Sequence, residues 1–375
     1  MEVIPAATRS SFDVGTAVAV VASVAGFVVV LGVLSSSVRT VMLPRAVRVR
    51  LTRYVFIALR LVFRIRIRPS TSFEARDRIL AFYGPVGLLC LLATWEIGLV
   101  LGYTAMDWGA GIHPLRAAFT MSGSSILTLG FAVPRSLPQT GLVFTEAALG
   151  LVELALLITF LPNIYGDFHN REREVTKLTV EAGTQADGVM ILIRLHALER
   201  LDARTEIWMR FTDWYVEVEA SHTAFPTLVY FRSNVPELSW VTAAGAVLDG
   251  ASLAASCLDA PRDYEAELCI RAGYLCLRRI AAMFRLPFDA EPSPNDPIAV
   301  SRAEFDATWR RMAEAGVPLK ADRDKAWRDF AGWRVNYDEP LIRLANLTEA
   351  PVAPWSSDRG LVTGRQPTFI ERIRR

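Results

Sequence analysis

The chain has 375 residues, 52% of them hydrophobic, with a mean hydropathy of +0.27 and a net charge of +2. That is too apolar for an ordinary soluble enzyme and points to a membrane protein with a soluble portion. Bulk charge says little about partners, and no nucleic-acid partner is expected. Four cysteines (Cys90, Cys257, Cys269, Cys276) without CxxC spacing give no disulfide framework or zinc pattern, so they are expected to be small buried hydrophobes.

Residues 14–38 carry no charge. At 1.5 Å rise per residue they reach ~37 Å, enough for a ~30 Å hydrocarbon core with some tilt. The preceding stretch MEVIPAATRSSFD is not basic and no clean small-residue cleavage site follows, so a retained span is expected rather than a signal peptide. The linker from 39 to 68 holds nine arginines and no acid before Glu74. The positive-inside rule makes it cytoplasmic, with the N-terminus outside and the C-terminus in the cytoplasm. Within it, LTRYVFIALRLVFRIRIR (51–68) alternates apolar residues with arginines. It reads as an amphipathic helix at the inner leaflet, with Arg53, Arg60 and Arg64 towards anionic headgroups of the lipid bilayer.

Two further spans follow, 79–106 with the single charge Glu96 and 141–161 with Glu146 and Glu153. Between them GIHPLRAAFTMSGSSIL (111–127) is opened by Pro114, which suits a first helical turn. It is too short to cross a bilayer and reads as a re-entrant half-helix. TLGFA follows as irregular backbone, tolerated at membrane depth only where it is buried in protein or lines water.

Outer helix, half-helix, Thr-x-Gly-aromatic and inner helix together resemble the pore module of the tetrameric potassium-channel superfamily. The likeness covers about 79–170. Thr128, Leu129, Gly130 and Phe131 match the first four filter positions, and Pro134 falls where that family often has a proline. The family's second filter glycine is Ala132 here, and its usual aspartate is Val133. The resemblance implies a homotetramer passing potassium or another monovalent cation along carbonyls of residues 128–132, with no other metal and no cofactor. Independently of the likeness, stacked carbonyls replacing hydration oxygens need glycine-like dihedrals, so Ala132 in a left-handed conformation would cost ~1–2 kcal/mol. A ring of Arg135 side chains at the mouth would repel cations.

On the inner helix, Glu146, Gly150 and Glu153 are spaced four and three and share a face. Glu153 stands 23 residues past Gly130, a separation that puts it near the water-filled cavity of such modules; the alternative is a hydrogen bond to the outer helix near Glu96 or Thr94. Gly150 is a candidate bending point, and Pro162 a candidate kink or end near an inner gate.

From 168 onward strand signals are few. HNREREVTKLTVEAG (169–183) reads as a polar exit from the membrane, and helical patterns follow at 187–200, 204–222, 238–258, 262–284, 301–315 and 322–348. The 238–258 run is interrupted by Asp249 and is expected as a core helix rather than a fourth span. FPTLVYFRS (225–233) reads as an aromatic-rich packing seam, and the tail from Pro351 as mobile unless Trp355 docks. Nucleotide-loop and hydrolase motifs are absent, and Ser221–His222 is no dyad because helical neighbours point about 100° apart, leaving His222 structural. No catalytic residue is nominated.

The expected fold is therefore all-α. It has an extracellular N-terminus and first span (1–38), a basic linker (39–78), a pore module (79–170) and a helical cytoplasmic domain (171–375). The expected function is a homotetrameric cation channel in the inner membrane, potassium-conducting. The alternatives are a non-conducting or non-selective pore-fold scaffold or sensor, and a membrane-tethered helical enzyme for which no residue speaks.

Overall fold

Apolar runs of bilayer length become helices of bilayer length. A computed structural model describes residues 14–41, 50–67, 72–183 and 187–359. Among these residues the structure is all-α, with no β-strand. Helices α1 (Val14–Val41), α4 (Tyr83–Gly109), α6 (Leu137–Ala182) and α9 (Trp240–Cys257) are long and apolar enough to cross a membrane, which supports a membrane protein. Contacts divide the chain into two compact units. The first holds α1, α2 (Arg50–Arg66) as far as Val62, α4 from Pro85, α5 (Leu115–Ile126) and α6 as far as Asn163. The second holds residues 63–84, including α3 (Phe73–Ala81), and the chain from Ile164 onward.

In the first unit, α1 packs on α4 through glycine. A Cβ on Gly26 would lie 2.3 Å from the Gly102 carbonyl, one on Gly102 2.7 Å from Val30, and one on Gly98 2.7 Å from Val33. Gly98 and Gly102 are four apart, so one face of α4 is shaved to let backbones approach, the small-xxx-small device of membrane helices. Trp95 of α4 donates to Ser36 of α1 (3.1 Å). On α2, Phe56 is buried over Gly87, while Leu51 and Val55 pack on the same core. Arg53 is exposed and Arg60 half-buried; the Arg64 side chain lies outside the described residues.

The third apolar run does not end where its polar sequence suggests. Pro162 sits inside α6, which continues through 169–183 to Ala182. The reason is a stripe hidden among the charges: Ile164, Phe168, Arg171, Val175, Leu178 and Ala182 are buried, at spacings of four, three, four, three and four. Pro162 therefore does not end the helix, and HNREREVTKLTVEAG continues it as far as Ala182.

In the second unit, α7 (Gly188–Ala197), α8 (Arg204–Ala224), α10 (Tyr264–Met283), α12 (Arg323–Arg334) and α13 (Asp338–Thr348) gather about α9, and α11 (Arg302–Glu314) packs on α7. Nearly every residue of α9 is buried within this unit, so it is a core helix and its apolarity is spent on neighbours. Gly188 and Gly250 let α7 cross α9 backbone to backbone, since a Cβ on Gly188 would lie 2.5 Å from the Gly250 nitrogen. Asp249, in mid-helix, is neutralised by fully buried Arg334, which also pairs with Asp338 (2.8 Å) and donates to the Trp355 carbonyl. Although burial opposes the charged form, the two aspartates keep this guanidinium protonated and raise its pKa.

Two expectations change here. The pattern at 322–348 is two helices, not one: the Asn336 amide turns back on the Gly332 (3.0 Å) and Trp333 (3.3 Å) carbonyls and Tyr337 leaves helical geometry. Trp355 is buried, so the chain through Arg359 is docked; residues 360–375 lie outside the described set. Cys257, Cys269 and Cys276 are buried free thiols, and Cys90 is half-buried.

Candidate ion-conduction site

The loop 127–134 joins the C-terminal end of α5 to the approach of α6, within the first unit. A helix end leaves its last carbonyls without partners. Here the loop itself satisfies them: Thr128 N–H donates to Ser125 O (3.0 Å), and Leu129 and Gly130 N–H donate to Ser124 O (2.8 and 3.2 Å). Ala132 N–H donates to the Ser124 hydroxyl (3.1 Å). Every one of these N–H groups turns back towards α5. Among the described residues no hydrogen bond reaches the carbonyls of Thr128, Leu129, Gly130 or Phe131.

Two loop residues are left-handed, Thr128 at φ +54° and Gly130 at φ +70°. For glycine this is cheap; for a β-branched threonine it is an outlier costing on the order of 1–3 kcal/mol, a signature of backbone held for a purpose. Ala132 is not among the left-handed residues, so the penalty expected for alanine at that position does not arise. The side chains of Leu127, Leu129, Phe131 and Val133 are more than half exposed. Gln139 closes the hairpin, accepting from Arg135 N–H (2.9 Å) and donating to Ala110 O (3.2 Å).

The face of α6 bearing Glu146, Gly150 and Glu153 is buried. Gly150 is a point of close contact: a Cβ there would lie 2.4 Å from the Ile126 carbonyl, so α6 touches the foot of the loop. Glu146 accepts a hydrogen bond from Ser122 of α5, and Tyr103 of α4 donates to Thr145 (3.1 Å). Within the chain, Glu153 is enclosed between α6, α1 and α4. It is 1% exposed, with Ser37 of α1 and Glu96 of α4 about its carboxylate and no well-formed hydrogen bond to either oxygen. Asp107 of α4, close enough to Glu146 to interact by charge, is likewise fully buried, with no partner for either oxygen among the described residues. Sequence reasoning passed over Asp107 because it stopped the second span at Met106; an acid at the end of an apolar run was the available signal. Ser124 and Gln139 were also missed, since a serine or glutamine beside a loop carries no pattern of its own.

In the second unit His222 is buried, its Nε2 3.0 Å from Arg171 Nη1. Burial first, and then the Arg171 charge, hold its imidazole well below the ordinary value, so it is neutral. Ser221 Oγ does reach His222 Nδ1 (3.1 Å), contrary to the helical-spacing argument. The pair is still no catalytic dyad: Ser221 is tied to the Glu217 carbonyl (2.8 Å) and His222 is shut in the core. Arg171 also donates to the Leu228 (2.9 Å) and Phe231 (2.7 Å) carbonyls, which makes 225–233 the expected packing seam. Among the described residues no group of three or more His, Cys, Asp or Glu is placed to hold a metal ion. No family model, curated protein or solved structure matches the chain.

Proposed function

We propose that the chain is one subunit of a homotetrameric cation channel, potassium-conducting, in which residues 128–132 line the conduction path. In this reading α1, α4 and α6 span the inner membrane and α5 is re-entrant. Residues 39–68 face the cytoplasm with α2 on anionic headgroups, and the second unit is cytoplasmic. One observation carries it: four successive carbonyls, Thr128 to Phe131, without hydrogen-bond partners among the described residues, on a loop whose Thr128, Leu129, Gly130 and Ala132 N–H groups are bonded back to α5. A dehydrated cation needs replacement oxygens, and unpaired carbonyls supply them without a charged residue. Left-handed residues at alternate positions turn successive backbone groups to one side, as they do in anion nests with the opposite polarity. One chain gives one arc, so closure requires copies about an axis. The exposed apolar side chains of the loop are then covered by neighbouring copies.

One observation favours the second reading, a pore-fold scaffold that conducts poorly. Arg135 is exposed next to the loop, so four copies would oppose cation entry. Potassium efflux from vesicles containing the full-length protein separates the two. Gly130→Val forces a branched side chain into φ +70° and is expected to abolish efflux; efflux equal to wild type would refute conduction along the loop.

A further inference from the structure

Three serines lie close together near the end of α5, and each uses its hydroxyl differently. Ser122 bonds to Glu146 and approaches the Val100 carbonyl (3.1 Å). Ser125 returns its proton to Met121 O of its own helix (2.9 Å). Ser124 alone turns its hydroxyl onto the loop, accepting from Ala132 N–H (3.1 Å), while its carbonyl accepts from Leu129 and Gly130. It is 1% exposed, so water does not compete for these bonds. The carbonyl bonds survive any side chain, whereas the bond to Ala132 depends on the hydroxyl alone.

We propose that Ser124 is a positioning residue that fixes the outer half of the loop and thereby its preference between potassium and sodium. A side-chain clamp on Ala132 N–H does there what a glycine dihedral would otherwise do. The inference rests on the conduction reading above. The inner half is set by backbone alone, through left-handed Thr128 and Gly130 and the bonds to Ser125 and Ser124 carbonyls. The outer half has no left-handed residue at Ala132, and among the described residues its one hydrogen bond to α5 is to the serine hydroxyl. Selection between cations of similar charge depends on how firmly the oxygens are spaced, so loosening one end relaxes selectivity before it stops flow.

The test uses the full-length protein in lipid. Ser124→Ala removes the clamp, Ser124→Thr restores a hydroxyl, and Thr120→Ala, whose hydroxyl bonds to Arg116 O of its own helix (2.8 Å), is the control. Two quantities are read: hydrogen exchange at the Ala132 amide and the potassium-to-sodium permeability ratio. The expected result is exchange roughly fivefold faster in Ser124→Ala, the factor for one lost net hydrogen bond, with the permeability ratio falling towards one. Both recover in Ser124→Thr and neither changes in Thr120→Ala. Unchanged exchange in Ser124→Ala overturns the clamp. Faster exchange with an unchanged ratio overturns its role in selection. If wild type passes no cation, the conduction reading falls and the selectivity claim with it, while the exchange result still decides whether the clamp exists.

Discussion

Gly150→Ala tests the contact between α6 and the foot of the loop. The added methyl would lie 2.4 Å from the Ile126 carbonyl and 3.0 Å from its side chain. Backbone cannot step aside as a side-chain end can, so α6 and α5 must separate locally. Overpacking of this kind costs about 1–3 kcal/mol. Against it stands the helix-propensity gain of alanine over glycine, about 0.8–1 kcal/mol, leaving a net loss of order 1 kcal/mol. The same helix supplies internal controls. A Cβ on Gly141 or Gly166 meets nothing within 4 Å, so alanine at either site keeps the propensity gain without the clash. Thermal unfolding of the full-length protein in one detergent, followed by tryptophan emission, should rank Gly150→Ala below wild type and Gly166→Ala at or above it. If all three variants are equally stable, the tight approach at Gly150 is not real and α6 does not press on the loop.

Other consequences follow from the same geometry. Arg334→Ala leaves Asp249 and Asp338 without their shared cation in the core and should destabilise the second unit by about 3–5 kcal/mol, whereas Arg334→Met with Asp249→Leu should recover much of the loss in a denaturation midpoint. Gly26→Val sets a branched side chain against the Gly102 carbonyl, and it should weaken α1–α4 packing enough to lower the melting temperature while Gly32→Val, which meets nothing, does not. Glu304 is opposed by burial but held down to about 2 by hydrogen bonds from Arg359 and Ser301. A depressed carboxylate stabilises the fold above its unfolded pKa near 4.5, and that contribution is lost as pH falls from 4.5 towards 2. The site is partly exposed, so the loss is discounted to about 1 kcal/mol, and Glu304→Gln should flatten the unfolding profile over that window.

Much of the fold was legible because long apolar runs and 3.6-residue periodicity are read directly from side chains. The helices at 14–38, 204–222, 262–284 and 301–315 appear close to where the pattern puts them. Failures came where one residue type serves two ends. Arg171 looks like a solvent-seeking charge in a polar segment, yet it is buried because three carbonyl and imidazole acceptors wait for it on 222–231. Gly98 and Gly102 read as ordinary apolar filler unless their spacing of four is noticed. At the candidate site, Thr128, Gly130 and the irregular backbone were visible as a motif. The Ser124 clamp was not, since it depends on which way a hydroxyl turns, and the burial of Glu153 by α1 depends on a helix more than a hundred residues earlier.

Conduction itself is best tested by recording from the purified full-length protein in a planar bilayer with potassium on one side and sodium on the other. The predicted result is a cation current whose reversal potential is displaced towards that of potassium and which disappears in Gly130→Val. Silent bilayers, with neither wild type nor Ala132→Gly passing current, would contradict the account.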